Sequence, residues 1–236
     1  MNRIGAPEDR DIAWCIQLYQ SHPEVCLQHL RTHYPESRVV LLMDGDQENL
    51  DRYARLSETY KAELVQGEHL MAFHSSHLYV ERMLQQALSG NERFYFRIDP
   101  DTKVWRRFRQ LPSLSCAFGT LETVTVALKD RIRHPPNIQG GCFGLTRDVV
   151  EGVLASGVLS HQRCVAEARL GWVRCADCEH VAARGMMLDD FVLSWAVDAA
   201  DFPIIQHPEI ASYWRHPVVN EALNFAVTHP HKEMDV

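Results

Sequence analysis

The sequence has no hydrophobic run of membrane-spanning length. Its longest apolar stretches, such as Val39-Val40-Leu41-Leu42-Met43, fall far short of the ~20 residues that cross a bilayer. The opening segment MNRIGAPEDRDIAW carries Glu8, Asp9 and Asp11 and no apolar core, so it is not expected to act as a signal peptide. The seven cysteines are odd in number and scattered, which excludes a simple disulfide framework and suits a reducing compartment. The expectation is a cytoplasmic protein, with peripheral contact to a membrane left open. Basic charge is also scarce: the formal net charge is −7, which argues against a nucleic-acid backbone as partner. A small anion remains compatible with that balance if a bound metal supplies the positive charge. The chain shows neither an internal repeat nor a low-complexity linker.

What is present is patterned apolar sequence in a chain of 236 residues, long enough for one sizeable core. Ile12–Tyr19 and Ser37–Met43 read as buried strands, and a helix is expected from Pro23 through Leu30. A helix over 48–57, a strand near 62–65 and a helix over 78–88 follow, the last closed by Ser89-Gly90-Asn91. Phe94–Ile98 is the next strand. This alternation predicts an α/β fold, a doubly wound, mostly parallel sheet flanked by helices. Ligands of such sheets gather beyond the carboxyl ends of the strands, where Asp44, Asp46, Asp99 and Asp101 fall. In the second half, Gln139–Leu145 reads as a glycine-spaced strand, Thr146 as the N-cap of a helix, and 187–197 as a helix opening on Asp189-Asp190. Val227-Thr228-His229 ends a short strand in a His-Pro-His-Lys cluster.

Asp99-Pro100-Asp101 sets two like charges at one strand end, with the fixed φ of proline between them. Water would solvate such a turn; a divalent cation would give it a task. Three further elements follow in order: Gly140-Gly141-Cys142-Phe143-Gly144, Leu188-Asp189-Asp190, and His229-Pro230-His231-Lys232. Together they resemble the pattern of GT-A-type glycosyltransferases, over roughly Ile12 to Lys232.

The resemblance implies one GT-A-like domain over 1–236, with a nucleotide-sugar half to about residue 110 and an acceptor half, including a smaller β element, over about 111–236. It implies a Mn²⁺ or Mg²⁺ site at Asp99, Asp101 and His229, with Asp101 as direct ligand, Asp99 contacting the ribose or the metal through water, His231 as alternative to His229, and Lys232 on a phosphate oxygen. Asp190, paired with Asp189, stands where the family's general base is found, although the first position is Asp rather than the commoner Glu. Gly140 and Gly141 are like the glycines that pass close to the donor sugar. Gln17, Tyr19 and Asp44 lie where the family holds base and ribose. The implied reaction moves a sugar from a nucleoside-diphosphate sugar, a UDP-sugar favoured, to a hydroxyl of a glycan, lipid-linked or small-molecule acceptor.

Two other readings stand beside it. A sugar-nucleotide nucleotidyltransferase shares the sheet, but the loop after the first strand, LYQSHPEV, has neither glycine nor lysine. A non-catalytic adaptor would be built on His161, Cys164, Cys175 and Cys178, whose spacing suits a structural Zn²⁺ as well as it suits free thiols and a surface histidine. Lys103, Arg106, Arg107 and Arg109 with Trp105 and Phe108 form a basic-aromatic run. It suits an anionic acceptor, acidic headgroups or an ordinary strand face. His74 and His77 face the donor phosphates or merely flank a helix start.

Overall fold

In the computed structural model, residues 3–69, 76–123, 126–128, 131–133, 136–160, 189–212 and 225–231 are described. The apolar runs become the middle of a sheet. Every residue of β2 (Ile12–Leu18) and β5 (Phe94–Ile98) is buried, as is all of β3 (Arg38–Met43) after its first residue. Strands covered on both faces need apolar residues on both, which is why these read as continuous runs. Ile12, Trp14, Ile16 and Leu18 point to one core, with α1 (Glu24–His33) and α2 (Leu50–Tyr60). Ala13 and Cys15 point to a second core, with α3 (Ser76–Leu88), α4 (Arg147–Ser156) and α5 (Asp189–Ala199). Helices therefore flank the sheet on both faces.

The central sheet has seven strands, in the order β12 (Ile204–Gln206), β8 (Ala117–Thr123), β11 (Pro136–Thr146), β5, β2, β3 and β4 (Glu63–Val65). All pairings are parallel except those of β11, which runs against both β5 and β8. The chain builds outward from β2 to β3 and β4, then returns to β5 on the other side of β2. The carboxyl ends of β2 and β5 therefore flank the crevice at which such sheets bind ligands. A small sheet joins β13 (Ile210–Ser212), β14 (Val227–His229) and β6 (Lys103–Val104). Among the described residues two short pairs complete the strands: β1 (Arg3–Ile4) with β7 (Leu111–Pro112), and β9 (Val126–Leu128) with β10 (Arg131–Arg133). No helix among the described residues is long and apolar enough to cross a membrane.

Two local expectations shift. Pro23 is the N-cap of α1 rather than its first residue. Thr146 does occupy the N-cap of α4, but its hydroxyl makes no cap bond and instead accepts the N–H of Cys116 at 3.1 Å. Strand β11 is longer than its glycine-spaced core and its pairing with β8 shifts register between Ile138 and Phe143. Gly140 and Gly141 sit within that irregularity.

Candidate metal and acid-base site

Asp99 and Asp101 follow β5 directly, in a turn closed by the Thr102 N–H to the Asp99 carbonyl at 3.1 Å. Proline at the second position of that turn has the backbone angle the turn requires. The Gly141 carbonyl accepts both the Asp99 N–H at 3.0 Å and the Thr102 hydroxyl at 3.1 Å, which fastens the turn to the irregular part of β11. His229 arrives from the end of β14. Its Nε2 stands 3.1 Å from Asp101 Oδ1 and 3.3 Å from Asp99 Oδ2. One ligating atom from each of the three residues lies within 4.8 Å of the others.

The donor set fits a divalent cation. Two carboxylate oxygens and an imidazole nitrogen suit Mn²⁺, and adjacent ligands bound at ~2.2 Å stand ~3 Å apart, as the His229 contacts do. Ser212 Oγ, buried on β13, lies 3.3 Å from His229 Nδ1 and can hold the ring with Nε2 facing the carboxylates. His231 is engaged elsewhere: its Nε2 lies 2.7 Å from Thr228 Oγ1 and its ring meets Trp105 edge-on. It is therefore His229, not His231, that stands with Asp99 and Asp101.

Electrostatics follow from the packing. Burial opposes charge on the Asp99 carboxyl, but the neighbouring Arg97 guanidinium and His229 outweigh it and hold the group down to about 2. Burial likewise disfavours the His229 cation, yet its hydrogen bonds to Asp101 and Asp99 push the ring up to about 9.

Arg97, buried on β5, connects this cluster to α5. Its Nη1 stands 2.9 Å from Asp99 Oδ1, and its Nη2 stands 3.2 Å from Asp189 Oδ2 and 2.5 Å from Gln17 Oε1. Gln17 comes from the last turn of the pleat in β2 and shares the α3–α5 face with Arg97. Asp189 and Asp190 open α5, where the helix dipole favours a carboxylate. Removal from water raises both, partly offset at Asp189 by Arg97; the charge of Asp189 adds to the effect on Asp190, which is pushed up to about 7. A side chain on Gly140 would approach Asp190 Cβ and Oδ2 at 3.3 Å, and one on Gly141 would overlap the His229 ring at 1.9–2.3 Å. The glycines make room for the acid and the histidine.

The remaining expected residues divide. Asp44, fully buried beyond β3, is paired with Arg82 at 2.9 Å and with His69 at 2.8 Å. Tyr19, 47% exposed beyond β2, stacks on the same His69 ring at 4.8 Å. These two form a second cluster along the strand ends, through His69. Gly45, with φ +74°, lets the chain at His69 pass, since a side chain there would meet His69 backbone atoms at 2.7–2.8 Å. Arg106 and Arg107 are tied to Glu209 and Asp9, and Phe108 is in the core. His77 is buried on α3. Lys232, His74 and the quartet His161, Cys164, Cys175 and Cys178 lie outside the described residues.

Arg97 was missed by sequence reasoning. Its signal is a charged residue inside Phe94-Tyr95-Phe96-Arg97-Ile98, a strand with no solvent face on which to place it. No protein-family model matches this chain, and no curated protein is significantly similar to it.

Proposed function

We propose that the protein is a metal-dependent glycosyltransferase of GT-A type, moving a sugar from a nucleoside-diphosphate sugar, a UDP-sugar by preference, to an acceptor hydroxyl. The observation that carries this reading is the convergence of Asp99, Asp101 and His229, from two different sheets, at the carboxyl end of β5. The carboxyl ends of β2 and β5 lie alongside, and the two glycines of β11 stand against Asp190 and His229.

Asp99, Asp101 and His229 would hold Mn²⁺ or Mg²⁺. A cation there supplies positive charge against a departing diphosphate. Asp190, with a proton affinity near the neutral range, suits it to accept the proton of the attacking hydroxyl. Gly140 and Gly141 keep side chains out of the space between the acid and the histidine. Gln17 stands at the end of β2, where a donor would lie across the crevice. Tyr19, exposed and already stacked on His69, offers an aromatic face for a base, and Lys232 follows His231 closely enough in sequence to serve a phosphate. The small sheet of β6, β13 and β14 would serve as the acceptor-side element. A cytoplasmic setting belongs to the same proposal.

The test is calorimetric titration of UDP, GDP, CDP and dTDP with Mn²⁺ and then with chelator, on wild type and Asp101→Ala. Metal-dependent binding of one nucleotide, lost in the variant, supports the reading. Binding of none of the four under either condition refutes it.

A further inference from the structure

Arg97 has a geometry that burial alone does not explain. A buried guanidinium is a poor route to stability, since removing it from water costs about what its ion pairs return. Here it stands between two carboxylates on different elements, Asp99 beyond β5 and Asp189 at the start of α5, with Gln17 of β2 closing a third side. Its side chain is only 4% exposed. The two oxygens of Asp99 are divided: Oδ1 faces Arg97 Nη1 at 2.9 Å, and Oδ2 faces His229 Nε2 at 3.3 Å. Nη1 meets Oδ1 as an ion pair by distance rather than in hydrogen-bond geometry, which leaves Oδ2 as the oxygen facing His229 and open to a cation.

We infer that Arg97 is a positioning residue that limits Asp99 to a single ligating oxygen and joins the cation centre to the Asp189–Asp190 pair. The inference rests on the cation reading above and deepens it. Arg97 touches neither the cation nor the reacting atoms in this role. It acts through Asp99, as the ion-pair partner of Oδ1, and through Asp189, the residue next to Asp190 at the start of α5. Its charge also competes with a cation for the same carboxylates, so it moderates affinity while it sets geometry.

The roles separate experimentally because they differ in sign. A residue that merely braces the site lowers cation affinity when removed. A competing cation that occupies Oδ1 raises it. The full chain is titrated with Mn²⁺ by calorimetry, without nucleotide, and its Co²⁺ form is followed by visible absorption, whose ligand-field bands report coordination geometry. Arg97→Met is expected to bind Mn²⁺ roughly tenfold tighter. Its Co²⁺ spectrum is expected to change as Oδ1 is released. Asp189→Asn leaves Arg97 wholly to Asp99 and is expected to weaken Mn²⁺ about threefold with the spectrum preserved. If Arg97→Met does not fold, Arg97→Lys decides: its single ammonium cannot span Asp99 and Asp189 together, so the Co²⁺ spectrum shifts although the charge is kept. Wild-type affinity with a wild-type spectrum in the folded Arg97 variants, or weaker Mn²⁺ binding by Arg97→Met, overturns the inference and leaves the cation reading standing. Absence of any Mn²⁺ or Co²⁺ binding by the wild type overturns both.

Discussion

Among single residues, His229 carries the sharpest dependence on pH. Its ring, pushed up to about 9 by Asp101 and Asp99 against the opposing effect of burial, holds a proton through the neutral range, and a cation must displace it. Mn²⁺ affinity should therefore climb with pH and level off above about 9, with close to one proton released on binding at pH 7.5. Calorimetry in buffers of different ionisation enthalpy measures that proton, and zero release would remove His229 from the ligand set. Stability without metal runs the other way. A histidine whose folded value lies above 6.5 stabilises fully below 6.5 and loses that contribution as pH rises through about 9. Chelator-treated protein should thus lose about 2–3 kcal/mol between these limits. Asp99, held near 2, contributes above its usual 3.8 and loses the contribution as pH falls through about 2. The neighbouring glycines are unequal. Gly141→Ala drives a methyl into the His229 ring and should weaken Mn²⁺ at least tenfold, whereas Gly140→Ala meets Asp190 at 3.3 Å and should change Mn²⁺ affinity less than threefold. Equal effects in the same titration would show that the histidine is not where the loss arises.

Between elements, the irregular part of β11 decides whether the glycines are presented at all. It is held from one side by the Asp99–Thr102 turn and from the other by α5, where Ser194 Oγ accepts the buried Ile138 N–H at 3.0 Å. Ser194→Ala leaves that N–H unpaired and should cost about 1–3 kcal/mol. Urea denaturation should show this as a lower midpoint at unchanged slope. An unchanged midpoint would mean that the register shift holds without α5. The same scale shows what was legible in the sequence. Strands β2, β3 and β5 announce themselves because both of their faces are buried, and the helices between them follow from spacing and stop signals. Strand β8 does not. Gly119 breaks its apolar run because Ile138 and Phe143 pack within 3.1–3.2 Å of where a side chain would start, and Thr120 is polar because its hydroxyl donates to the Ile210 carbonyl. In the site, Asp99, Asp101 and His229 were legible as a spaced motif with a late histidine. Arg97 and Ser212 were not, because their meaning lies in partners from β2, α5 and β14 that only folding brings near.

For the whole molecule, the decisive fact is that the three residues of the candidate site come from two sheets. Asp99 and Asp101 follow a strand of the central sheet, while His229 belongs to the small one, which shares a core with the central sheet through Val104, Ile210 and Val227 and is bonded to β8 where the Thr120 hydroxyl donates to the Ile210 carbonyl at 3.0 Å. A net charge of −7 gives an anionic diphosphate no general attraction, so on the proposed function a cation at this site would serve as local counter-charge and as an added link between the sheets. Without metal, the ring of His229 links the two carboxylates; a bound cation would be shared by all three residues, and separating the sheets would then break its bonds to them. Mn²⁺ at a hundredfold excess over its dissociation constant should therefore add about 2.7 kcal/mol to stability. The gain should not be spread evenly. Hydrogen exchange at the amides of Val227, Thr228 and His229 should slow on Mn²⁺ binding more than exchange in β3, whose protection already reflects a core closed on both faces. Asp101→Ala should abolish both the stabilisation and the local protection while leaving exchange in β3 as it was. Mn²⁺-dependent slowing confined to acidic surface loops, with β14 unaffected, would place the cation elsewhere and separate His229 from Asp99 and Asp101 as a functional unit.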